Sequence, residues 1–280
     1  MRRAIVVRLL AVTLLGWVAA ASAAEKGPSV PRFLTSGSGF VDYWPCFSPD
    51  GQSVLFSRST DGGKLWELWI VPSQGGEARR FARAALPVSA TRANWLASNR
   101  LIAFTGTPQR APSAPGGGET ARVWIIDGDG ANPRELALTG VSAAVVYPSW
   151  FPGGKQLAVM DALELVIKRI DSSGGPAVAL TRHEDVLTGM PSVSPDGKWI
   201  AFAGQANTGQ RYDQLRNSIW LLDVRAGAVR RLEAMPAQGR APSWSPDGKR
   251  IAFESDRGGL MRLFYAVYVI DRDGSGLRQI

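Results

Sequence analysis

Few residues of this chain are suited to acid–base chemistry. His183 is the single histidine, and Asp185 follows it by two residues, so the pair could activate a serine in a nucleophilic hydrolase. No Gly-x-Ser-x-Gly motif is present to hold that serine at a sharp turn. One histidine also excludes a metal site built on two. We therefore interpret His183 as a solvated or hydrogen-bonded loop residue.

Aspartates that could bind a cation occur at two kinds of turn. Three Ser-Pro-Asp-Gly turns contain Asp50, Asp196 and Asp247. Two related turns lack the aspartate, which argues against a metal-binding or catalytic role for these aspartates. Asp271-x-Asp273-x-Ser275 matches the first half of a calcium loop without the acidic residue that such a loop needs at its twelfth position. Since phosphate-binding glycine loops are also missing, the sequence implies neither a metal nor a cofactor.

One ten-residue unit recurs through the chain. Its clearest copy runs from Trp244 to Phe253, around Ser-Pro-Asp-Gly. The other copies run from Phe47 to Phe56, Trp95 to Phe104, Trp150 to Val159 and Val193 to Phe202. Their starts lie 43 to 55 residues apart, which is the period of one four-stranded propeller blade.

Each unit predicts a hairpin and two further strands. Proline and glycine fit the positions of a tight turn, and the aspartate can bond to the backbone just after it. A third strand rich in aromatic and β-branched residues follows in four copies, whereas the third copy has Lys168-Arg169-Ile170-Asp171. The sequence thus predicts an all-β fold, a β-propeller of four-stranded antiparallel blades, with blade 3 the least well packed.

The number of blades stays open between five and an incomplete six. Pro31 to Thr35 resembles the outer strand that ends a repeat, and an N-terminal outer strand often closes a propeller ring. The fifth repeat already ends with its own outer strand at Leu277 to Ile280, so the two segments compete for one place. Self-association or a partner would resolve this by completing the ring.

Met1 to Ala24 is typical of a Sec-type signal peptide. A basic start precedes the apolar run Leu9 to Ala21, and small residues precede Glu25. Cleavage would lower the formal net charge from +8 to +5, because Arg2, Arg3 and Arg8 leave with no acidic residue. We expect a propeller domain over residues 25–280 in the periplasm or outside a bacterial cell. The basic residues are scattered among acids, so nucleic acid is not an expected partner.

The repeat Pro-x-Trp-Ser-Pro-Asp-Gly-Lys-x-Ile-Ala-Phe, with an aromatic-aliphatic strand ending in aspartate, resembles the WD-like repeat of TolB-type β-propellers. The resemblance covers residues 30–280. It implies a place in the bacterial envelope and a partner of the peptidoglycan-associated lipoprotein type. TolB also carries an α/β domain before its propeller, which we do not expect here because only residues 25–46 lie between the predicted signal peptide and the first repeat. Similar repeats gate prolyl-oligopeptidase-like enzymes, whose hydrolase domain we do not expect here.

The loops that enter the inner strands should line one end of the central channel, where ligands of propellers usually bind. The candidate binding residues are Asp42, Tyr43, Trp44, Arg92, Asn94, Tyr147, His183, Asp185, Gln238 and Arg240. Aromatic residues and arginines are typical interface anchors, which favours a non-catalytic protein-binding module of the cell envelope. The alternatives are a hydrolase or lyase acting on glycans or peptides, and a binder of cell-wall saccharide. The lone Cys46 occupies a small inner-strand position.

Overall fold

The computed structural model describes residues 33–109, 120–232, 238–256 and 265–280. The regular structure of these residues consists of 22 strands and one short 3-10 helix, Gln214–Arg216. The signal peptide predicted for Met1 to Ala24 lies outside the described residues and stays a prediction. Within the described ranges, no helix has the length and apolar character needed to cross a membrane.

Each repeat folds into one antiparallel sheet with its strands paired in chain order. Blade 1 comprises β1 (Val41–Phe47), β2 (Ser53–Ser59), β3 (Glu67–Pro72) and β4 (Arg79–Arg80). Blade 2 comprises β5 (Val88–Trp95), β6 (Leu101–Pro108), β7 (Arg122–Asp127) and β8 (Arg134–Glu135), and the short β9 (Leu138–Thr139) follows it. Blade 3 comprises β10 (Val145–Trp150), β11 (Gln156–Asp161) and β12 (Val166–Asp171), then β13 (Gly175–Pro176), which pairs with β9, and the outermost strand β14 (Val178–Ala179).

Blade 4 comprises β15 (Val186–Val193), β16 (Trp199–Ala206), β17 (Ser218–Asp223) and β18 (Val229–Arg231). Blade 5 comprises β19 (Arg240–Trp244), β20 (Arg250–Ser255), β21 (Ala266–Asp271) and β22 (Arg278–Gln279). The prediction of an all-β propeller with four-stranded antiparallel blades is confirmed, and the described residues form five blades.

The Ser-Pro-Asp-Gly turns join the first two strands of blades 1, 4 and 5. In blade 1, Asp50 Oδ1 accepts hydrogen bonds from the Ser48 hydroxyl at 2.6 Å and from the Gln52 N–H at 3.0 Å. Gly51 has φ +69°, the left-handed conformation that favours glycine, and Asn99 adopts it in blade 2 with φ 62°. The aspartates are therefore turn residues, as predicted.

Acid should weaken the propeller through these turns. The serine hydroxyl and the following backbone N–H hold the pKa of Asp50, Asp196 and Asp247 below its ordinary value. A lowered pKa in the folded state stabilises the fold above the ordinary aspartate value of about 3.9, and this contribution is lost as the pH falls through the folded-state pKa.

We expect the triple variant Asp50→Asn/Asp196→Asn/Asp247→Asn to lose less of its melting temperature than the wild type between neutral pH and about pH 3, because asparagine keeps an acceptor and does not titrate. Circular dichroism melts at stepped pH values measure this. Parallel losses in the two proteins would show that the turn aspartates do not contribute.

The hydrophobic core lies between neighbouring blades. Successive side chains of each second strand point alternately to the blade on one side and to the blade on the other. Ile102 of β6 packs towards blade 1 with Leu55, whereas the next residue, Ala103, packs towards blade 3 with Leu157. The same alternation links blade 3 to blade 4 and blade 4 to blade 5. Four shared clusters therefore hold the five blades in sequence.

The remaining face of blade 1 is covered by the segment before β1. Val54, Phe56 and Val71 form a separate small cluster, against which Leu34 packs. The prediction that Pro31 to Thr35 forms an outer strand is wrong for the described residues Phe33 to Thr35, which form no strand. The outermost strand of blade 5 is β22, near the C-terminus, so the two segments do not compete.

One position of the third strand carries a large side chain in every blade. The aligned residues are Trp69, Trp124, Lys168, Trp220 and Tyr268. Two positions after their register partners on the second strand stand Arg58, Gly106, Asp161, Gly204 and Ser255. A Cβ on Gly106 would lie 2.7 Å from Nε1 of Trp124, so this tryptophan requires glycine. The side chains at the two positions therefore depend on each other.

Blade 3 uses an ion pair where the other blades use an aromatic side chain. Lys168 Nζ lies 2.9 Å from Asp161 Oδ2 and 2.6 Å from Glu164 Oε2, and it also donates to the Gly140 carbonyl at 2.9 Å. Burial alone would raise the pKa of Asp161, but hydrogen bonds from Ser142 and Lys168 outweigh it and lower that pKa. Lys168 is only 4% exposed, so its position in blade 3 is filled without an aromatic side chain, whereas the expectation that blade 3 is the least well packed stays a prediction.

Candidate functional site

The channel mouth is the end of the propeller where the innermost strands β1, β5, β10, β15 and β19 begin. In blade 1, Val41 at the start of β1 pairs with Ser59 at the end of β2. The other blades repeat this antiparallel pairing. Loops that enter innermost strands and loops that leave second strands therefore meet at the mouth, where the sequence-predicted binding residues were expected.

Every innermost strand carries a bulge near the mouth. The register shifts between Tyr43 and Cys46 in blade 1, and a shift occurs at the same place in the other four blades. Inside each bulge one non-glycine residue is left-handed: Trp44, Arg92, Tyr147, Met190 and Ala241, with φ between 50° and 55°. All five lie three residues before the first residue of the ten-residue unit in their blade. A β-bulge re-aims the side chain that it contains.

Proline follows the left-handed residue in four of the five blades, at Pro45, Pro148, Pro191 and Pro242. Proline has no N–H, so it leaves no ladder donor unpaired within a bulge. A left-handed backbone conformation at a non-glycine residue costs on the order of 1 kcal/mol. Where several such residues bring their side chains together, this backbone strain suggests a functional site. The sequence-based candidates did not include Met190 and Ala241. Their constant distance of three residues from the start of the ten-residue unit could have identified them.

Three of these side chains meet. The guanidinium carbon of Arg92 lies 4.8 Å from the aromatic ring centre of Trp44 and 4.3 Å from that of Tyr147. Trp44 in turn contacts Tyr43 and Trp66, with ring centres 5.4 and 5.2 Å apart. We call these five residues the mouth cluster. Four of them are candidate binding residues of the sequence analysis, and the structure adds Trp66 from the loop before β3.

Asp42 does not join the mouth cluster. Its carboxylate makes a two-pronged pair with Arg58, at 2.7 Å to Nε and 2.8 Å to Nη2, and it also accepts a hydrogen bond from Thr35. The side chains of Asp42 and Arg58 are 10% and 9% exposed. The arginine also stacks on Phe40, with 3.8 Å to the ring centre. Asp42 is therefore a structural residue that links β1 to Arg58 of β2 within blade 1.

Gln238 and Arg240 form a second group in blade 5. Arg240 Nε lies 2.8 Å from Glu254 Oε2, and its guanidinium carbon lies 3.6 Å from the ring centre of Tyr265. The Tyr265 hydroxyl donates to the side-chain oxygen of Gln238 at 3.2 Å. This arginine is charge-compensated, unlike Arg92, for which no carboxylate partner occurs among the described residues.

His183 and Asp185 are each engaged by another residue. Nδ1 of His183 donates to the Glu164 carbonyl at 2.7 Å, so the histidine ties the start of blade 4 to a blade 3 loop. Asp185 Oδ2 accepts from Arg182 Nε at 2.8 Å. The interpretation of His183 as a hydrogen-bonded loop residue agrees with this contact. Within the described ranges, no group of three histidine, cysteine or acidic side chains is placed to hold a metal ion.

Asn94 sits at the junction between blades 2 and 3. Its Oδ1 accepts the backbone N–H of Trp150 at 3.2 Å, and its carbonyl accepts the Trp150 indole N–H at 3.1 Å. Ser149 occupies the same position in blade 3 and accepts the N–H of Val193 at 3.0 Å. In blade 1 the position is Cys46. Burial raises the pKa of its thiol to about 11, although a bond from the Trp95 N–H opposes this rise, so the thiol stays protonated.

We expect Asn94→Val to lower the free energy of unfolding by about 1–3 kcal/mol, because it removes the acceptor of the Trp150 backbone N–H. Asn94→Ser, which copies blades 3 and 4, should lose less. Urea unfolding midpoints compare the two. Equal losses would mean that the side-chain oxygen is not what matters at this junction.

Comparison with known proteins agrees with this architecture. The family model described as the TolB beta propeller domain matches residues 109–280. This chain belongs to that family. The putative TolB from Agrobacterium tumefaciens has a similar structure, with a TM-score of 0.68 and 21% identity over 89% of this chain and 83% of that one. At this identity the likeness shows the fold alone.

Proteins with enzyme names are also similar to this chain. Dipeptidyl-peptidase 5 of Porphyromonas endodontalis is 25% identical over 94% of this chain and 46% of its own length. An oligogalacturonate lyase in complex with manganese has a TM-score of 0.61 and 14% identity over 88% of this chain and 66% of that one. The chain spans less than half of the curated relative, so that protein's activity does not transfer to this TolB-type propeller.

Proposed function

We propose that this chain is a non-catalytic protein-binding module of the bacterial cell envelope, acting in the periplasm or outside the cell. The observation that carries the proposal is the mouth cluster, in which Arg92 is held between Trp44 and Tyr147 from the neighbouring blades. Tryptophan, tyrosine and arginine are the residues most enriched at binding hot spots, and here the blades fix their positions. Family resemblance suggests a partner of the peptidoglycan-associated lipoprotein type.

The acid–base candidates at the mouth support a binding role over catalysis. Asp42 is paired with Arg58, Asp185 with Arg182, and His183 donates to a backbone carbonyl. A general base must lie within hydrogen-bond reach of the proton that it removes, and its own pKa must suit the task. These groups are instead engaged by neighbours that hold loops in place.

The test is affinity capture from cross-linked envelopes of the cells that produce the protein. The tagged wild type is compared with Arg92→Ala/Tyr147→Ala/Arg240→Ala. The control variant, Arg79→Ala/Arg134→Ala, removes the same number of positive charges from exposed outermost strands. We expect one discrete protein to be captured by the wild type and the control and lost in the mouth variant. Equal capture by all three would refute binding at the mouth.

A second candidate is the processing of peptides or glycans, or the binding of cell-wall saccharide, at the same mouth. It is motivated by the relatives named as a peptidase and a lyase. Incubating the purified protein with envelope glycan and with peptide pools tests it directly. Products that form with the wild type and disappear in the mouth variant would replace the binding proposal. Self-association as a way to complete the ring would appear as a concentration-dependent mass in solution.

A further inference from the structure

Two aromatic rings hold Arg92 through the faces of its guanidinium, so this contact does not use the N–H groups of its edge. The aromatic rings of Trp44 and Tyr147 lie over the guanidinium at 4.8 and 4.3 Å, measured from its carbon to each ring centre. A planar guanidinium stacked in this way keeps its N–H groups directed outward in its own plane. The stacking therefore orients the arginine without using its donors.

These donors are poorly satisfied within the described residues. Nε of Arg92 is buried and has no hydrogen-bond partner, and Nη1 makes only a 3.5 Å contact with the Thr91 hydroxyl. Arg58 and Arg240, by contrast, each have a carboxylate at 2.7 to 2.8 Å. An arginine without its anion is costly in a half-buried setting, since charged groups there require a partner.

The backbone conformation of Arg92 also fixes its side chain between Trp44 and Tyr147. The residue is left-handed, with φ 55°, inside the bulge of β5. Its equivalents in blades 1 and 3 are the two aromatic residues that stack on it, so three successive bulges aim three side chains at one place. The arginine is therefore positioned by the repeat itself and not by a flexible loop.

A carboxylate fits this edge best, because two of its oxygens match two guanidinium N–H groups in one plane. The aromatic geometry favours a peptide over a sugar as its source. Tyr43 and Trp66 meet at 61°, Trp44 and Trp66 at 64°, and Arg92 already covers one face of Trp44. This arrangement gives edges and clefts for apolar side chains and little flat surface for a pyranose ring.

We infer that Arg92 is the receptor for a carboxylate of a protein partner, an acidic side chain or a chain terminus, whose neighbouring apolar residues pack on Tyr43 and Trp66. This inference rests on the proposed function and names the chemistry of its partner. Loss of the guanidinium should weaken binding roughly 10- to 100-fold, the effect of one charge-assisted hydrogen-bonded contact.

The experiment screens short synthetic peptides of mixed composition on an array, in free-acid and C-terminally amidated form, against the purified protein. Wild type, Arg92→Gln and Arg92→Lys are compared, with Arg134→Gln as an exposed control of equal charge change. We expect the wild type and the control to select peptides with aspartate, glutamate or a free terminus. Arg92→Gln should lose this preference, and Arg92→Lys should keep only part of it because it lacks the planar fork. Near-ultraviolet circular dichroism of the aromatic side chains confirms that each variant is folded.

The outcomes separate the two proposals. Peptides bound equally by the wild type and Arg92→Gln, or without acidic preference, would overturn the carboxylate inference and leave protein binding in place. Failure to bind any peptide would overturn the carboxylate inference, whereas the affinity capture decides on protein binding. Oligogalacturonate and its neutral methyl ester are included as probes, and selective binding of the acidic sugar without peptides would move the partner from protein to glycan.

Discussion

Replacing Lys168 by methionine is expected to lower the free energy of unfolding by about 3–5 kcal/mol, the usual cost of leaving one member of a buried ion pair without its partner. The side chain of Asp161 is fully buried and that of Lys168 is 5% exposed. Methionine fills a similar volume but cannot donate to Asp161 or to the Gly140 carbonyl. The destabilisation therefore reports the lost charge and donors.

Thermal melting measures the effect, and the expected fall in melting temperature is roughly 6–20 °C for a domain of this size. Glu164→Gln is the matched control, because Glu164 contacts the same ammonium group but is 51% exposed. Surface pairs contribute little, so the control should stay close to the wild type. Similar losses in the two variants would mean that burial of the pair is unimportant.

A repeat-swap variant tests why the lysine is there. Lys168→Trp alone places an indole against Asp161, where blade 2 has Gly106. Lys168→Trp/Asp161→Gly copies blade 2 at both positions and should recover most of the stability lost in the single variant. No recovery would show that blade 3 differs from blade 2 by more than this pair.

The sequence was sufficient to predict the blades because each local signal agrees with the others. Turn residues such as Pro49 and Gly51 permit only a tight turn, and the apolar runs on both sides alternate between two neighbouring blades. The same reasoning failed at Phe33 to Thr35. A short apolar segment has no periodicity to separate a strand from a covering loop, and Leu34 is fixed by its packing on blade 1.

The candidate site was predicted only in part, since the mouth depends on contacts between distant residues. Trp44, Arg92 and Tyr147 share one offset from the ten-residue unit, and the structure brings them together with Tyr43 beside Trp44. Asp42 and Asn94 were candidates as well, yet Arg58 and Trp150 engage them. Which residues stay available to a ligand is decided by partners that lie 16 to 56 positions away in the chain.

The largest predicted effect at the mouth itself concerns Asp42. Asp42→Ala should lower the free energy of unfolding by about 3–5 kcal/mol, because Arg58 is then buried without its carboxylate against Phe40, Phe56 and Trp69. Asp42→Asn should lose somewhat less, since the amide oxygen still accepts one guanidinium hydrogen bond. Chemical denaturation of both variants gives the two values.

The comparison with Arg92 makes this result informative about function. Both arginines stack on aromatic rings, but Arg58 has its anion within the chain and Arg92 does not among the described residues. At a temperature where all variants are folded, Asp42→Ala should therefore bind acidic peptides as the wild type does, despite its reduced stability. Arg92→Gln should show the reverse, near-normal stability with weakened binding. If Asp42→Ala instead weakened binding at full folding, Asp42 would belong to the ligand site and not only to the scaffold beneath it.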